Sequence, residues 1–527
     1  MLNQPNILVL HSDEHSYRFL SHRSQANGGE PCQTPTLDQL AKKGITFDKA
    51  YCQFPLCSPS RIAMLTGRHA HRCGAWTNES ILSPELPTWG SHFQSNGYQT
   101  ATVGKMHLGG SLQHAGFSAR PYGDFGGMCS HQYDPLSRHN SQNSAGMTMR
   151  SRTADAGLSE IPESLLQENM IIRESISWLR ENHHISADHP WLLYTSFSRP
   201  HFPLTAPRRY LERYYDFQTN QPTLVTRPRI GRSGDTINHP MTLGAIKGFQ
   251  TEAISPAEEM KARAAYFASV DFLDEMLGDF LVLLEHSGFL DNTVIIYTSD
   301  HGELCGEHGL WWKNTWHEAS TRVPFIISLP NHRKGTLSSQ TIQNPVSLAD
   351  IFPTICGLSN IEPPEELDGV DLSSVITGQQ QSPRQLSQRS GVITESLVPR
   401  WGLGTEFRMI RSERYKYVAF RGNDDLAFDL VEDPDEQHNL LLEEQIPDEL
   451  IQLRSDVLED FDFDRVEAIR HQDSRLLAKR YQKRVNPTTP NQILLRDGRL
   501  VEADSPLFHP EVVSNKVDLD FDDSPSV

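Results

Sequence analysis

The first clear element is an unbroken apolar run, Ile7-Leu-Val-Leu10, that begins at Asn6 and stops at His11-Ser-Asp-Glu-His15. Apolar runs of this length without polar alternation belong to strands buried on both faces, as in parallel sheets. The polar residues that follow then fall at the strand's C-terminal edge, where open α/β sheets bind ligands. The pattern recurs. Residues 100–103 lead into Gly104-Lys-Met-His107, residues 190–194 into Ser198-Arg-Pro-His-Phe-Pro203, and residues 292–297 into Ser299-Asp-His-Gly-Glu303. Residues 323–329 read as one more strand. Helical spacing appears between these runs: a short helix over 36–44, striped by Leu37, Leu40 and Ala41, and a long one over 255–286, with Met260, Ala264, Phe267, Val270, Leu273, Met276 and Leu277 at helical intervals. Repeated helix-then-strand units predict an α/β fold, a mostly parallel central sheet covered on both faces.

The grammar changes after residue 385. Residues 407–411 and 415–420 read as an antiparallel hairpin turning at Ser412-Glu-Arg414, residues 426–430 as a third strand, and residues 447–461 as a helix. This predicts a small C-terminal α+β subdomain over 386–464, after a catalytic α/β domain over 1–385. The extension 465–527 begins with a basic helical stretch, 465–484, and ends in an acidic, Pro-containing tail. The tail reads either as an extended segment or as an arm exchanged in a homo-oligomer. No fixed-period repeat or low-complexity segment interrupts the chain.

Composition narrows the class. With 37 % hydrophobic and 22 % charged residues the chain has a globular profile. Its 67 acidic side chains outnumber 48 basic ones, for a net charge of −19. That balance argues against nucleic acid and against a polybasic membrane face as partners, yet it leaves room for a small positive site that takes an anionic substrate. The start, Met1-Leu-Asn-Gln-Pro5, has no basic region, and residues 7–10 are too few for a signal peptide or a membrane span. Seven cysteines, odd in number and without a CxxC pair, are neither a disulfide framework nor a zinc ribbon. A cytoplasmic location with reduced thiols is the simplest expectation; a trimmed signal peptide would instead mean periplasmic or secreted.

The chemistry concentrates in Pro55-Leu-Cys-Ser-Pro-Ser-Arg-Ile-Ala-Met-Leu-Thr-Gly67. Pro59 suits a helix's first turn, Ile62 and Leu65 give an apolar face, and Gly67 ends it. Cys57 therefore lies at a helix N-terminus, where free amides favour anions, with Arg61 one turn on. This segment resembles the signature of formylglycine-dependent sulfatases, whose Cys-x-Pro-x-Arg core is Cys57-Ser-Pro59-Ser-Arg61 here. A second signature of that family is met by Gly97-Tyr-Gln-Thr-Ala-Thr-Val-Gly-Lys-Met-His107. The resemblance runs in the same motif order from residue 6 to about 440, taking in Pro200-His-Phe-Pro203 and Ser299-Asp-His-Gly302, with some similarity to choline-sulfatase-like and iduronate-sulfatase-like members.

The resemblance implies an alkaline-phosphatase-like α/β/α sandwich with a small C-terminal sheet. It implies hydrolysis of a sulfate monoester, of a sulfated carbohydrate or small alcohol, to alcohol and sulfate. Cys57 would be oxidised to formylglycine by a maturation enzyme, and the aldehyde hydrated to a geminal diol. One hydroxyl attacks sulfur, and loss of the other proton expels sulfate by elimination. Asp13, Glu14, Cys57, Asp300 and His301 are the implied metal positions, for Ca2+ or else Mg2+. The family often has Asp-Asp where this chain has Asp13-Glu14. Arg61 is implied to support the modified side chain, Lys105 and Lys313 to neutralise sulfate, His107 to act as base, and His201 to contact the leaving oxygen. Lys105 and His107, two apart, would face the same way on an extended segment. Arg68, His71, Trp76, Asn78, Arg199, Trp316 and His317 flank these motifs as candidates for substrate selection. Two other readings share the motifs: a phosphonate monoester hydrolase or phosphodiesterase, and a protein that only binds sulfated ligands. The second predicts gaps in the constellation, and the sequence has none.

Overall fold

The structure, a computed structural model, describes residues 4–23, 28–123, 151–186, 189–380, 386, 389–480, 492–494 and 500–502. Cys129 and the acidic tail from 503 onward lie outside the described residues, as does most of 481–502.

The central sheet is built from β1 (Asn6–Asp13), β2 (Ile45–Phe47), β3 (Gln99–Gly104), β4 (Trp191–Pro200), β5 (Thr293–Ser299), β6 (Phe325–Ser328) and β7 (Gln340–Ile342). Among the described residues these seven strands lie in the order β7-β2-β6-β5-β1-β4-β3. The apolar run of β1 pairs in parallel with β5 on one side and β4 on the other. Residues Ile7 to Leu10 are wholly buried, as an apolar run without alternation requires. The sheet is mixed rather than all parallel, because β6 runs antiparallel to both β5 and β2. The single strand expected over 323–329 is split. Pro324 has no N–H to continue a ladder, so Arg322–Val323 pairs instead with Ala50–Tyr51 in a separate small sheet.

The helices that matter for the site are α1 (Pro35–Lys42), α2 (Cys57–Thr66), α3 (Gln167–Ser186), α4 (Pro256–His286) and α5 (Ile351–Ser359). The 31-residue α4 starts where the Ser255 hydroxyl accepts the Glu258 amide, and it packs with α3 against β4. α2 ends at Gly67, whose φ of 65° is the left-handed cap glycine tolerates best, and packs on α5.

Strands β8 (Val392–Ser396), β9 (Phe407–Arg411), β10 (Tyr415–Phe420) and β11 (Leu426–Asp429) form an antiparallel sheet in chain order. Its alternation is clean. Phe407, Met409, Val418 and Phe428 join the main core, while Ile410, Tyr417 and Ala427 pack against Leu450, Leu453 and Val457 of α6 (Asp448–Val457). The basic stretch forms α7 (Phe463–Arg480). No described helix is long and apolar enough to cross a membrane.

Candidate active site

Because β1, β3, β4 and β5 are parallel, their C-terminal ends meet at one edge, and Asp13, Lys105, Ser196 and Asp300 arrive there together. Helix α2 is stitched over that edge. The Ser58 amide donates to Asn78 Oδ1 (3.1 Å), the Ser58 hydroxyl donates to the His107 carbonyl, and the Ser60 hydroxyl donates to the Asp300 carbonyl (2.6 Å). Cys57, the first residue of α2, is thereby fixed with its sulfur over the strand ends. Its Sγ lies 3.3 Å from His301 Nε2, 3.3 Å from Lys313 Nζ and 3.8 Å from Asp13 Oδ1. Burial and Asp13 push the thiol up, but Lys105, Lys313 and His301 outweigh them and hold it well below its ordinary range.

Arg61 organises the floor. Its guanidinium is fully buried and donates to Asp13 Oδ2 (2.8 Å), Asp300 Oδ2 (2.9 Å), the Lys105 carbonyl (2.7 Å) and Ser196 Oγ (2.8 Å). Lys105 Nζ reaches Asp13 Oδ2 at 2.6 Å. Burial and Asp300 push Asp13 up, but Lys105, Arg61 and Lys313 win, so its carboxyl is held well below the usual carboxylate range. Asp300 is held down in the same way, by His301, Arg61, Lys105 and Lys313 against burial. Both aspartates are therefore carboxylates at neutral pH, although neither is exposed.

His301 Nδ1 donates to the Gly302 carbonyl (3.0 Å), which turns Nε2 toward the site, where it can meet a metal ion. Donor atoms of Asp13, Cys57, Asp300 and His301 lie within 4.8 Å of one another. Two carboxylates and a correctly tautomerised imidazole aimed at one point fit a divalent cation. Glu14 stands outside that foursome. Its Oε2 accepts from Lys313 Nζ (3.1 Å) and lies 3.1 Å from His201 Nε2, a grouping with Asp13 of its own. Burial pushes the Glu14 carboxyl well up; Lys313 opposes this and neighbouring Glu303 adds to it. Lys313 stays an ammonium, since Cys57, Glu14, Asp13 and Asp300 overcome its burial.

All ten site residues expected from the sequence reach this edge or its stitching, but one argument for them fails. The segment 105–107 is not extended. The chain leaves β3 at Gly104 with φ of 97° and turns again at His107 with φ of 53°, so two-residue spacing does not put Lys105 and His107 on one face. A Cβ at Gly104 would stand 2.0 Å from the Ser196 carbonyl of β4. Gly104→Ala is therefore expected to cost about 2 kcal/mol or more in urea unfolding, and to lower turnover by moving Lys105; unchanged stability would show that the strands separate without penalty.

Most of the flanking candidates are packing residues. His71 Nδ1 bonds Glu395 Oε1 (2.7 Å), Arg68 pairs with Glu366 (3.3 Å), and Arg199 lies 3.9 Å from Glu168. Trp76 is buried with its amide on the Ser80 hydroxyl (2.7 Å), and Trp316 and His317 stack on each other, with ring centroids 4.5 Å apart. Asn78 alone bears on the nucleophile, as a cap for α2. Two residues gain a role only from the structure: Ser196, a polar residue near the end of an apolar strand like Asp13 and Asp300, accepts from Arg61, and Glu303 accepts the Cys305 and Trp312 amides.

Comparison with known proteins agrees with this geometry. The sulfatase family profile matches residues 5–361, and that of the N-sulphoglucosamine sulphohydrolase C-terminal region matches residues 306–461. A choline-sulfatase of Rhizobium meliloti (strain 1021) is 28 % identical over 454 residues, covering 83 % of this chain and 82 % of its own. Two solved structures share the fold. One, bound to its substrate D-glucosamine-2-N,6-O-disulfate, superposes with a TM-score of 0.69 at 23 % identity, over 87 % of this chain and 97 % of its own. The other, a phosphonate monoester hydrolase of Agrobacterium radiobacter, gives 0.67 at 23 % identity, over 94 % and 99 %. The family profile spans most of the chain and covers every residue gathered around Cys57, from Asp13 to Lys313: the chain belongs to the sulfatase family.

Proposed function

We infer that the chain hydrolyses a sulfate monoester of a sulfated sugar or small alcohol, using Cys57 after its oxidation to formylglycine. One observation carries this reading: Cys57 opens α2 in contact with both His301 and Lys313, above two carboxylates that Arg61 clamps. A divalent cation, Ca2+ or Mg2+, would be held by Asp13, Asp300 and His301 and would supply Lewis-acid activation, and formylglycine at position 57 would supply a hydroxyl nucleophile. The chain's own residues do the rest. Lys105 and Lys313 offset the charge of the sulfate oxygens, which an otherwise acidic protein would repel. Arg61 keeps Asp13 and Asp300 oriented and ionised. His107 takes the base role on family grounds, its backbone anchored through Ser58. His201 donates Nδ1–H to the Phe202 carbonyl (2.8 Å), which leaves Nε2 as the atom that can hold a proton for the departing alcohol.

Glu14 is best read as the partner of Lys313 and His201, whose Nζ and Nε2 both lie 3.1 Å from its Oε2, and with Asp13 and His201 it makes a second grouping that could hold a metal ion. A reducing compartment suits the six described cysteines, all unpaired.

The test is side-by-side turnover of an aryl sulfate and an aryl phosphonate monoester by enzyme co-expressed with a formylglycine-generating enzyme. A sulfatase shows the larger kcat/KM on the sulfate; a large preference for the phosphonate would transfer the chain to the reading its second structural neighbour suggests. The Cys57 peptide should lose about 18 Da on conversion of thiol to aldehyde. His201→Ala is expected to lower kcat by about 10^2- to 10^4-fold on an alkyl sulfate and far less on 4-nitrophenyl sulfate, whose leaving group needs no proton. Equal losses on both would remove His201 from the leaving-group side.

A further inference from the structure

Lys105 and Lys313 are the sulfate's cations in the proposed reaction, and the fold delivers them by different means. Lys105 directly follows β3 and donates its amide to the Ser196 carbonyl of β4 (3.0 Å), whereas residues 310–317 around Lys313 form neither helix nor strand. Lys313 is nevertheless buried, with Nζ 3.3 Å from Cys57 Sγ and 3.1 Å from Glu14 Oε2. Its two neighbours take left-handed backbone, Trp312 at φ of 79° and Asn314 at φ of 67°. Residues with a Cβ keep that conformation only where surrounding contacts impose it. Such contacts stand on both sides. Before Lys313, Glu303 Oε1 accepts the amides of Cys305 (2.8 Å) and Trp312, and the Trp312 carbonyl accepts the Leu304 amide (2.8 Å), closing residues 304–312 into a loop. After it, the Asn314 carbonyl accepts from Trp401 Nε1 (2.7 Å), and Asn314 Oδ1 accepts from the Ser396 hydroxyl (3.0 Å).

Ser396 ends β8 and Trp401 lies in the loop that follows, so the second grip comes from the C-terminal sheet. Trp401 is itself built in. It is 1 % exposed, its ring meets those of Trp312 and Phe249 at centroid distances of 5.9 and 5.3 Å, and a Cβ on Gly244 would stand 1.7 Å from its carbonyl. An ammonium on a flexible four-carbon stem does not hold one position by itself. Fixing the peptides on either side gives that stem a set origin and direction, and a displacement of about 1 Å in such a group can cost about 10^2-fold in rate. Resting on the sulfatase reading, we propose that Glu303 and Trp401 are positioning residues that together hold Lys313 in place for the sulfate oxygens, so that the C-terminal sheet completes the sulfate site. Glu303 serves here as an acceptor for two amides rather than through its charge. Nothing in the hydrolysis derived above uses either residue.

The experiment uses matured enzyme and 4-nitrophenyl sulfate, with inorganic sulfate as the competing ligand. Trp401→Phe keeps an aromatic ring and removes the indole donor, Glu303→Met removes the acceptor, and Glu303→Gln keeps a carbonyl oxygen for both amides. The first two should each lose about 10- to 100-fold in kcat/KM and raise the inhibition constant of sulfate about fivefold or more, whereas Glu303→Gln should rescue both to within about threefold of wild type. Each loss should largely vanish when the substitution is added to Lys313→Ala, because a residue that acts through Lys313 then has nothing left to hold. A lower kcat with an unchanged sulfate constant would mean less folded enzyme rather than a misplaced lysine, and would overturn the proposal. So would equal damage from Glu303→Gln and Glu303→Met, or undiminished losses beside Lys313→Ala. If Trp401→Phe does not fold, Ser396→Ala tests the same grip with the same outcomes. In all of these, aryl sulfate turnover by wild type leaves the sulfatase reading standing; its absence for every sulfate ester, in enzyme carrying the loss of about 18 Da, would overturn that reading and the proposal with it.

Discussion

Cys57→Ser is expected to cut steady-state turnover of an aryl sulfate by about 10^4-fold or more while leaving the urea unfolding midpoint close to wild type. The substitution keeps a small side chain at the first position of α2, and a hydroxyl can still accept from Lys313 and stay in reach of His301 Nε2, as the thiol does now. The fold has little reason to respond. The chemistry does, because a simple sulfate ester has no second hydroxyl on the same carbon and can be cleared only by attack of water. A single turnover should therefore leave sulfate on the introduced oxygen, a gain of about 80 Da on that peptide by mass spectrometry. Wild-type turnover in the variant, with the Cys57 peptide of the parent unmodified, would mean that the contacts around Sγ serve some other nucleophile.

That prediction depends on residues far apart in sequence, and the ease with which they were found differs from one to the next. Asp13 and Asp300 were legible because each closes an unbroken apolar run, and strands buried on both faces deliver such residues to one edge. Cys57 and Arg61 were legible because helix-start chemistry and four-residue spacing are local. His107 was named by the second signature, and the added argument from spacing fails, because alternation cannot foresee that Gly104 and His107 both take positive φ. The strand at 323–329 broke where Pro324 removes a donor, a signal present in the sequence and outweighed by the apolar run around it. Arg152 and Arg400 had no signal at all. Each lies outside any motif, and only tertiary packing sets both on the Trp312 ring, with Arg152 on that of Phe202 as well.

Net charge illustrates the same limit. A total of −19 describes the envelope, whereas the site brings Arg61, Lys105 and Lys313 against Asp13, Glu14 and Asp300 in a volume closed to solvent. There, burial and neighbour decide the charge state, not the average.

Arg61 is where that balance is most exposed to test. Arg61→Met keeps much of the side-chain volume and removes the clamp on both aspartates, and it is expected to cost about 3–5 kcal/mol at neutral pH, the usual penalty for leaving buried charge uncompensated. The pH dependence separates this from lost packing. In wild type both carboxyls are held below their ordinary value, so their stabilising contribution is complete above about pH 5 and fades as pH falls through the unfolded value near 3.9. Without the guanidinium, burial and the repulsion between Asp13 and Asp300 act with less opposition, the folded-state values rise, and acid now relieves the variant by protonating what it cannot pair. The gap between wild type and variant should thus be largest near pH 7.5 and shrink toward pH 4. Urea unfolding at both pH values, with chelator present so that no divalent cation replaces the lost charge, gives the comparison. A penalty that does not change with pH would show that Arg61 acts by filling space, and the electrostatic account of the floor would have to be given up.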